Sequence, residues 1–263
     1  MSLTIITILI VVGILVGFIN TLSAGGTTIT IALYLALGLP PQSANAVNRV
    51  GVLLQNGFGS LMFWKKGSFK LKEVLPYAIP IMVGAFFGSI LAVEVSEKVF
   101  SVCFGLILIL MLVFMALGKY VKPKQEKVIT TKKYLLYLPI FIAIGFYGGF
   151  VQSGTGFPII AAFSLLLGYD LVKTTGVKLA SMFLYTIVAI SVFFVRGGVQ
   201  IEYWIYGLIH SLGMILGTWI AGKYAIKKGE GIVKLAIIIV VVITALYLLG
   251  IVDFGNIFKK ILV

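Results

Sequence analysis

Apolar runs of membrane-spanning length constrain this chain more than any other feature. Ile79–Val93 carries no charge, and Ile232–Val252 is broken only by Lys234. A helix of about 20 apolar residues matches a hydrocarbon core about 30 Å thick. Of the 263 residues, 60% are hydrophobic and only 11% are charged. Soluble domains carry about 25% charge. Mean hydropathy is +1.15. The longest polar stretch, Lys119–Lys133, is too short for a soluble domain. The sequence therefore predicts an all-α polytopic membrane protein. Its first apolar segment lacks a small-residue cleavage pattern and is read as mature protein. Cys103 is the only cysteine, so no intrachain disulfide and no cysteine-based metal site is expected. The net charge of +13 comes from lysines in short loops beside apolar spans. That is positive-inside patterning and does not call for nucleic acid as a partner.

A second constraint is an internal repeat. Shifting the sequence by 130 positions lays Ser23 on Ser153, Gly26 on Gly156, Gly38 on Gly168 and Gly67 on Gly197. Each copy breaks an apolar segment with a small-residue loop. The loops read N-T-L-S-A-G-G-T over Asn20–Thr27 and F-V-Q-S-G-T-G over Phe150–Gly156. Apolar segments are expected at 3–22, 27–38, 43–64, 74–93 and 98–118, then at 134–152, 157–168, 172–195, 203–222 and 231–251. The second segment of each half holds about a dozen residues, which rise about 18 Å and fall short of a full span. The first two segments of each half thus form a helical hairpin tipped by the small-residue loop.

A hairpin plus three spanning helices makes each half an odd unit, so the halves are expected as inverted repeats. The boundaries are 1–120 and 134–252, with a cytoplasmic linker at 121–133 and a tail at 253–263. Loops 65–72, 119–133 and 223–230 are lysine-rich and fall on one side, which the charge rule makes cytoplasmic. Both termini then lie outside.

The hairpin tips are the first candidate site. Helices that start near Thr27 and Phe157 offer unpaired N–H groups and the positive end of their dipoles, which suits an anion. Asn20, Ser23, Gly25, Gly26 and Thr27 come from one tip, and Gln152, Ser153, Gly154, Thr155 and Gly156 from the other. The bland alternative is close helix packing through small residues. Asn45, Asn48 and Arg49 fall on one face of the next helix, and Lys178 aligns with Asn48. Ionisable groups inside a bilayer default to function, although long basic side chains also snorkel to the interface. Gln55, Asn56, Tyr185 and Thr186 align across the halves and could line a path or bond helix to helix. His210, the only histidine, is a candidate for proton coupling or a hydrogen-bonded core residue. Pro76 and Pro80 are expected to kink their helix. All eight Asp and Glu residues lie near segment ends, which disfavours a cation substrate.

These pieces, with L-G-L-P-P-Q-S-A-N-A-V-N at 37–48, F-W-K-K-G at 63–67 and G-A-F-F-G at 84–88, resemble the TauE/SafE sulfite-exporter family over the whole chain. The resemblance implies a prokaryotic inner-membrane transporter of sulfite, sulfonates or related organosulfur anions. The family's first motif is usually richer in glycine and followed by proline; here Thr27, Thr28 and Ile29 follow, while Pro158 is present in the second copy. The expected function is a secondary transporter, with an anion-selective channel as the alternative. An enzyme is disfavoured because one His, one Cys and no deep acid supply too few catalytic groups. No ATP-binding motif is found and no cofactor or metal is expected. The expected partners are a small anion and the lipid bilayer, and a homodimer is compatible with the sequence.

Overall fold

The computed structural model describes residues 1–22, 24–117, 129–197, 199–223 and 242–251. Every regular element among them is helical. The order is α1 (Leu3–Leu22), α2 (Gly26–Ala36), α3 (Pro41–Lys65), α4 (Leu71–Glu94), α5 (Glu97–Leu117), α6 (Thr131–Phe150), α7 (Gly156–Ala161), α8 (Leu171–Arg196) and α9 (Ile201–Lys223). A π-helical turn, Ala162–Leu166, extends α7, and residues 242–248 are helical. The expected segments are thus met to within a few residues. The exceptions are the first part of the segment at 231–251, most of the linker at 121–133 and the tail at 253–263, which lie outside the described residues. Five helices, α1, α4, α6, α8 and α9, are long and apolar enough to cross a membrane. This is a multi-pass membrane protein.

Local chemistry sets the element ends. α2 stops at Gly38, whose φ of 86° places it in the left-handed region. Its N–H donates to the Leu35 carbonyl, and the next N–H, of Leu39, to Tyr34. Gly168 repeats this after the π turn with φ 77°, and Tyr169 N–H donates to Phe163. Pro41 opens α3, where its missing N–H costs nothing. The Asp170 carboxylate caps α8 by accepting from the N–H groups of Val172 and Lys173 at 2.8 and 2.9 Å. Pro76 and Pro80 lie inside α4.

Packing crosses between the halves. α1 lies along α9, and α4 along α6, at near backbone contact. A Cβ added to Gly17 would stand 2.0 Å from the Met214 carbonyl oxygen, and one on Gly145 would stand 2.0 Å from that of Ile81. Lipid tails supply no hydrophobic drive between helices, so small residues and close contact hold such pairs. The contact order gives the run directions. Gly13 meets residues 210–214 and Gly217 meets Ile14 and Phe18, so α1 and α9 run parallel. Tyr134 donates to the Pro76 carbonyl and Ser89 to that of Gly149, so α4 and α6 run parallel too. Between α3 and α8 the order reverses, with Gly57 against Phe183 and Gly176 against Phe63. Ion pairs Lys173–Glu73 at 3.0 Å and Arg196–Glu94 at 3.7 Å tie α8 to α4 in the same direction.

Candidate functional site

The two loops that break the apolar segments meet at the centre of this arrangement. The Thr28 hydroxyl, in the first turn of α2, and the Ser153 hydroxyl of the second loop lie 2.7 Å apart. Gly156 packs on Ala24 so tightly that a Cβ there would stand 2.8 Å from the Ala24 Cβ. Three backbone conformations in the left-handed region make the turns: Gly25 at φ 95°, Gln152 at 63° and Gly154 at 75°. Tyr147 Oη donates to the Ser153 carbonyl at 2.5 Å and Thr155 Oγ1 to that of Gln152 at 2.6 Å, which pins the second loop.

Between the loops lies a small cavity of about 10 Å³, room for the centre of about one water-sized sphere. Asn20, Ala24, Gly25, Thr27, Val52 and Asn56 line it from the first half, and Gln152, Gly154, Thr155, Gly156, Lys178 and Met182 from the second. The first-turn N–H groups of a helix have no intrahelical acceptor. No side chain caps α2 at Gly25 or α7 at Thr155. The Thr28 and Phe157 N–H groups are taken by the carbonyls of Gly25 and Gly154, and Pro158 has none, so the wall carries the N–H groups of Thr27 and Gly156 at two helix starts whose partial charge is positive.

The opposite, negative helix ends are covered by cations from the other half. Lys178 Nζ donates to the carbonyls of Asn20 at 2.8 Å and Thr21 at 3.3 Å, in the last turn of α1. Arg49 donates from Nη1 to the Gly148 carbonyl at 3.2 Å and from Nη2 to that of Gly149 at 2.5 Å, in the last turn of α6. Asn45 Nδ2 takes the Phe150 carbonyl at 2.9 Å. The Arg49 guanidinium also lies over the Phe193 ring at 4.5 Å. Each cation thus caps a helix C-terminus across the repeat boundary. Neither snorkels: relative exposure is 0% for Arg49 and 1% for Lys178.

The expected site residues divide accordingly. Asn20, Gly25, Thr27, Gln152, Gly154, Thr155, Gly156 and Lys178 line the cavity. Gly26 opens α2 and packs on Asn20, and Ser153 bridges the loops. Ser23 lies outside the described residues. Asn45, Asn48 and Arg49 are buried on α3 and do not line the cavity. Asn48 nevertheless sits one turn before Val52, which does, and neither of its amide atoms has a partner among the described residues. His210 stands apart. Its Nδ1 lies 2.7 Å from the Leu9 carbonyl, so that nitrogen carries the proton, and Nε2 is 3.0 Å from the Thr30 hydroxyl. The ring ties α9 to α1 and α2. Of the paired polar positions, Asn20 Nδ2 bonds Gln55 and Gln152 Nε2 bonds Thr186, each at 3.3 Å.

Four participants escaped the reading of the residues: Ala24, Val52 and Met182 in the wall, and Thr28 at the loop contact. The 130-residue shift held a signal for three of them, since it lays Val52 on Met182 and Ala24 on Gly154.

The family model described as "Sulfite exporter TauE/SafE" matches residues 9–248. The chain belongs to the TauE/SafE sulfite-exporter family. Among its relatives is "Probable membrane transporter protein ORF9" of Sinorhizobium sp., 31% identical over 92% of this chain and 91% of the relative. A "Probable membrane transporter protein" of Haemophilus influenzae is 27% identical over 90% of this chain and 92% of its own. "Probable membrane transporter protein YfcA" of Escherichia coli K12 is 25% identical over 89% and 85%. No solved structure matches the chain. As a TauE/SafE member, this protein is a membrane transporter.

Proposed function

We propose that this TauE/SafE protein is a secondary transporter that exports small sulfur-containing anions, such as sulfite or organosulfonates, across a prokaryotic inner membrane. The observation that carries the reading is the shared cavity. Two uncapped helix starts, one per half, line it together with the Lys178 ammonium, and no Asp or Glu is among its lining residues. Such a wall offers donors and positive charge, which is what an oxyanion needs in place of water. Asn45, Asn48 and Arg49 extend the path one turn along α3, a role supported by the Asn48 amide, which has no partner among the described residues.

The halves act as inverted repeats that rock about the cavity to expose it to either side. Opposite run directions of α3 and α8 support this, as do the lysines at 65, 66, 70 and 72 on the side assigned to the cytoplasm. Both termini then face outward. A negative-inside potential drives an anion out with about 2.3 kcal/mol per charge per 100 mV, so uniport suffices.

Proteoliposomes loaded with sulfite, sulfate, thiosulfate, sulfoacetate or taurine, with and without a pH gradient, test the proposal. Saturable flux of a sulfur-containing anion is expected. Unitary currents in planar bilayers would replace the carrier with an anion channel, and the absence of flux for all five would overturn the proposal.

A further inference from the structure

We infer that Gln152 reads a hydrogen-bond donor carried by the anion itself, so that the preferred species is a singly charged oxyanion that keeps a proton, of the hydrogen-sulfite type. The inference rests on the cavity being an anion site and narrows what that site takes.

Three observations at one residue lead here. First, Gln152 lines the cavity and is wholly buried. Its φ of 63° makes it the one non-glycine in the left-handed region among the described residues. A Cβ disfavours that region, and Gly154, two positions on, occupies it freely at 75°. A side chain is therefore kept where glycine would fit more easily. Strain of this kind persists where the surroundings over-determine it, and it gathers at ligand clamps.

Second, the amide is held with one end engaged. Nε2 donates to Thr186 Oγ1 at 3.3 Å, and Oε1 has no partner among the described residues. A buried carbonyl oxygen without a donor is costly, and such orphans in native proteins need an explanation.

Third, the neighbouring groups in the wall are donors. The Lys178 ammonium, which also donates to the Asn20 and Thr21 carbonyls, the Thr27 hydroxyl and the N–H groups of Thr27 and Gly156 at the two helix starts all suit oxygen lone pairs. The Thr155 hydroxyl is already committed to the Gln152 carbonyl. A bare oxyanion only accepts. Placed against this wall it would satisfy the donors, leave Oε1 unpaired and meet its negative dipole. An oxyanion with one O–H satisfies both kinds of group at once. Sites built to hydrogen-bond an O–H discriminate strongly against analogues that lack it.

The matched probes are hydrogen sulfite and methanesulfinate, which share one negative charge and an SO₂ group and differ by OH against CH₃. Binding of each to the purified full chain in detergent is measured by calorimetry at mildly acid pH, where sulfite is singly protonated. We expect hydrogen sulfite to bind about tenfold more tightly, the value of one hydrogen bond that would otherwise leave a buried acceptor orphaned. Gln152→Met, similar in length and without the acceptor, should bring the ratio to about one. Thr186→Val, which frees Nε2 and keeps Oε1, should lower it only in part. Equal affinities in the unmodified protein overturn the inference and leave the anion site standing, with no variant needed. A tenfold ratio that survives Gln152→Met overturns it as well. Binding of neither anion removes the anion-site reading itself, and the inference with it.

Discussion

Lys178→Met paired with Arg49→Met separates what caps a helix from what holds an anion. Each cation donates to two backbone carbonyls at the end of a helix from the other half. Hydrogen bonds to a charged group contribute about 1.5–3 kcal/mol each. Removing a buried cation also recovers several kcal/mol of desolvation. The net loss of stability is about 1–3 kcal/mol for either variant, or about 2–10 °C in melting temperature for a chain of this size. Binding should split them. Only Lys178 lines the cavity. A unit charge about 6 Å from a bound anion, at an effective dielectric constant near 20, is worth about 3 kcal/mol. Lys178→Met should therefore weaken sulfite binding by about a hundredfold. Arg49 acts from behind the second loop, and its loss should weaken binding by no more than about fivefold, or 1 kcal/mol. Calorimetric titration of detergent-solubilised protein, with thermal unfolding of the same preparations, reads both quantities. If Arg49→Met weakens sulfite as much as Lys178→Met does, the assignment of the anion to the Lys178 side is wrong.

Gly145→Ala forces a Cβ to within 2.0 Å of the Ile81 carbonyl oxygen, so α4 and α6 must part. Overpacking against backbone costs about 3 kcal/mol or more, and a monodisperse size-exclusion peak should be lost. Gly38→Ala, at φ 86° with nothing within 4 Å, should cost only about 1 kcal/mol and leave that peak intact. Gln152→Gly relieves the one strained non-glycine φ among the described residues and should hold or raise the melting temperature while lowering sulfite affinity; a clear drop in melting temperature would show that the side chain serves structure. His210→Gln should lower thermal stability and leave the pH profile of flux unchanged, because both ring nitrogens already hold partners; a flattened profile would restore proton coupling.

Much of this architecture was legible in one dimension. Element positions followed from the apolar runs and from punctuation such as Pro41, Gly38 and Gly168, because a bilayer leaves helices as nearly the only way to satisfy backbone groups. The repeat marked both loops as special; the same shift lays Val52 on Met182, a pairing that the reading of the residues did not use. Basic residues in the middle of helices were harder. Arg49 and Lys178 read alike as ligand groups or snorkelling chains, since the alternatives differ only in what lies opposite. The carbonyls they cap belong to helices 99 to 158 residues away in sequence. His210 was ambiguous for the same reason: Leu9 and Thr30 lie 201 and 180 positions distant.

By itself, then, the order of residues settled that this chain lies in a membrane as helices, where those helices break, and to which family it belongs, because hydropathy and turn chemistry act over neighbours. Tertiary structure alone decided that α1 pairs with α9 and α4 with α6, that two distant loops enclose one cavity, and that Lys178 rather than Arg49 stands in its wall. Those outcomes depend on which glycines come within reach of which backbones, and on which carbonyls are left at a helix end when two halves close on each other. No spacing along the chain carries that distance.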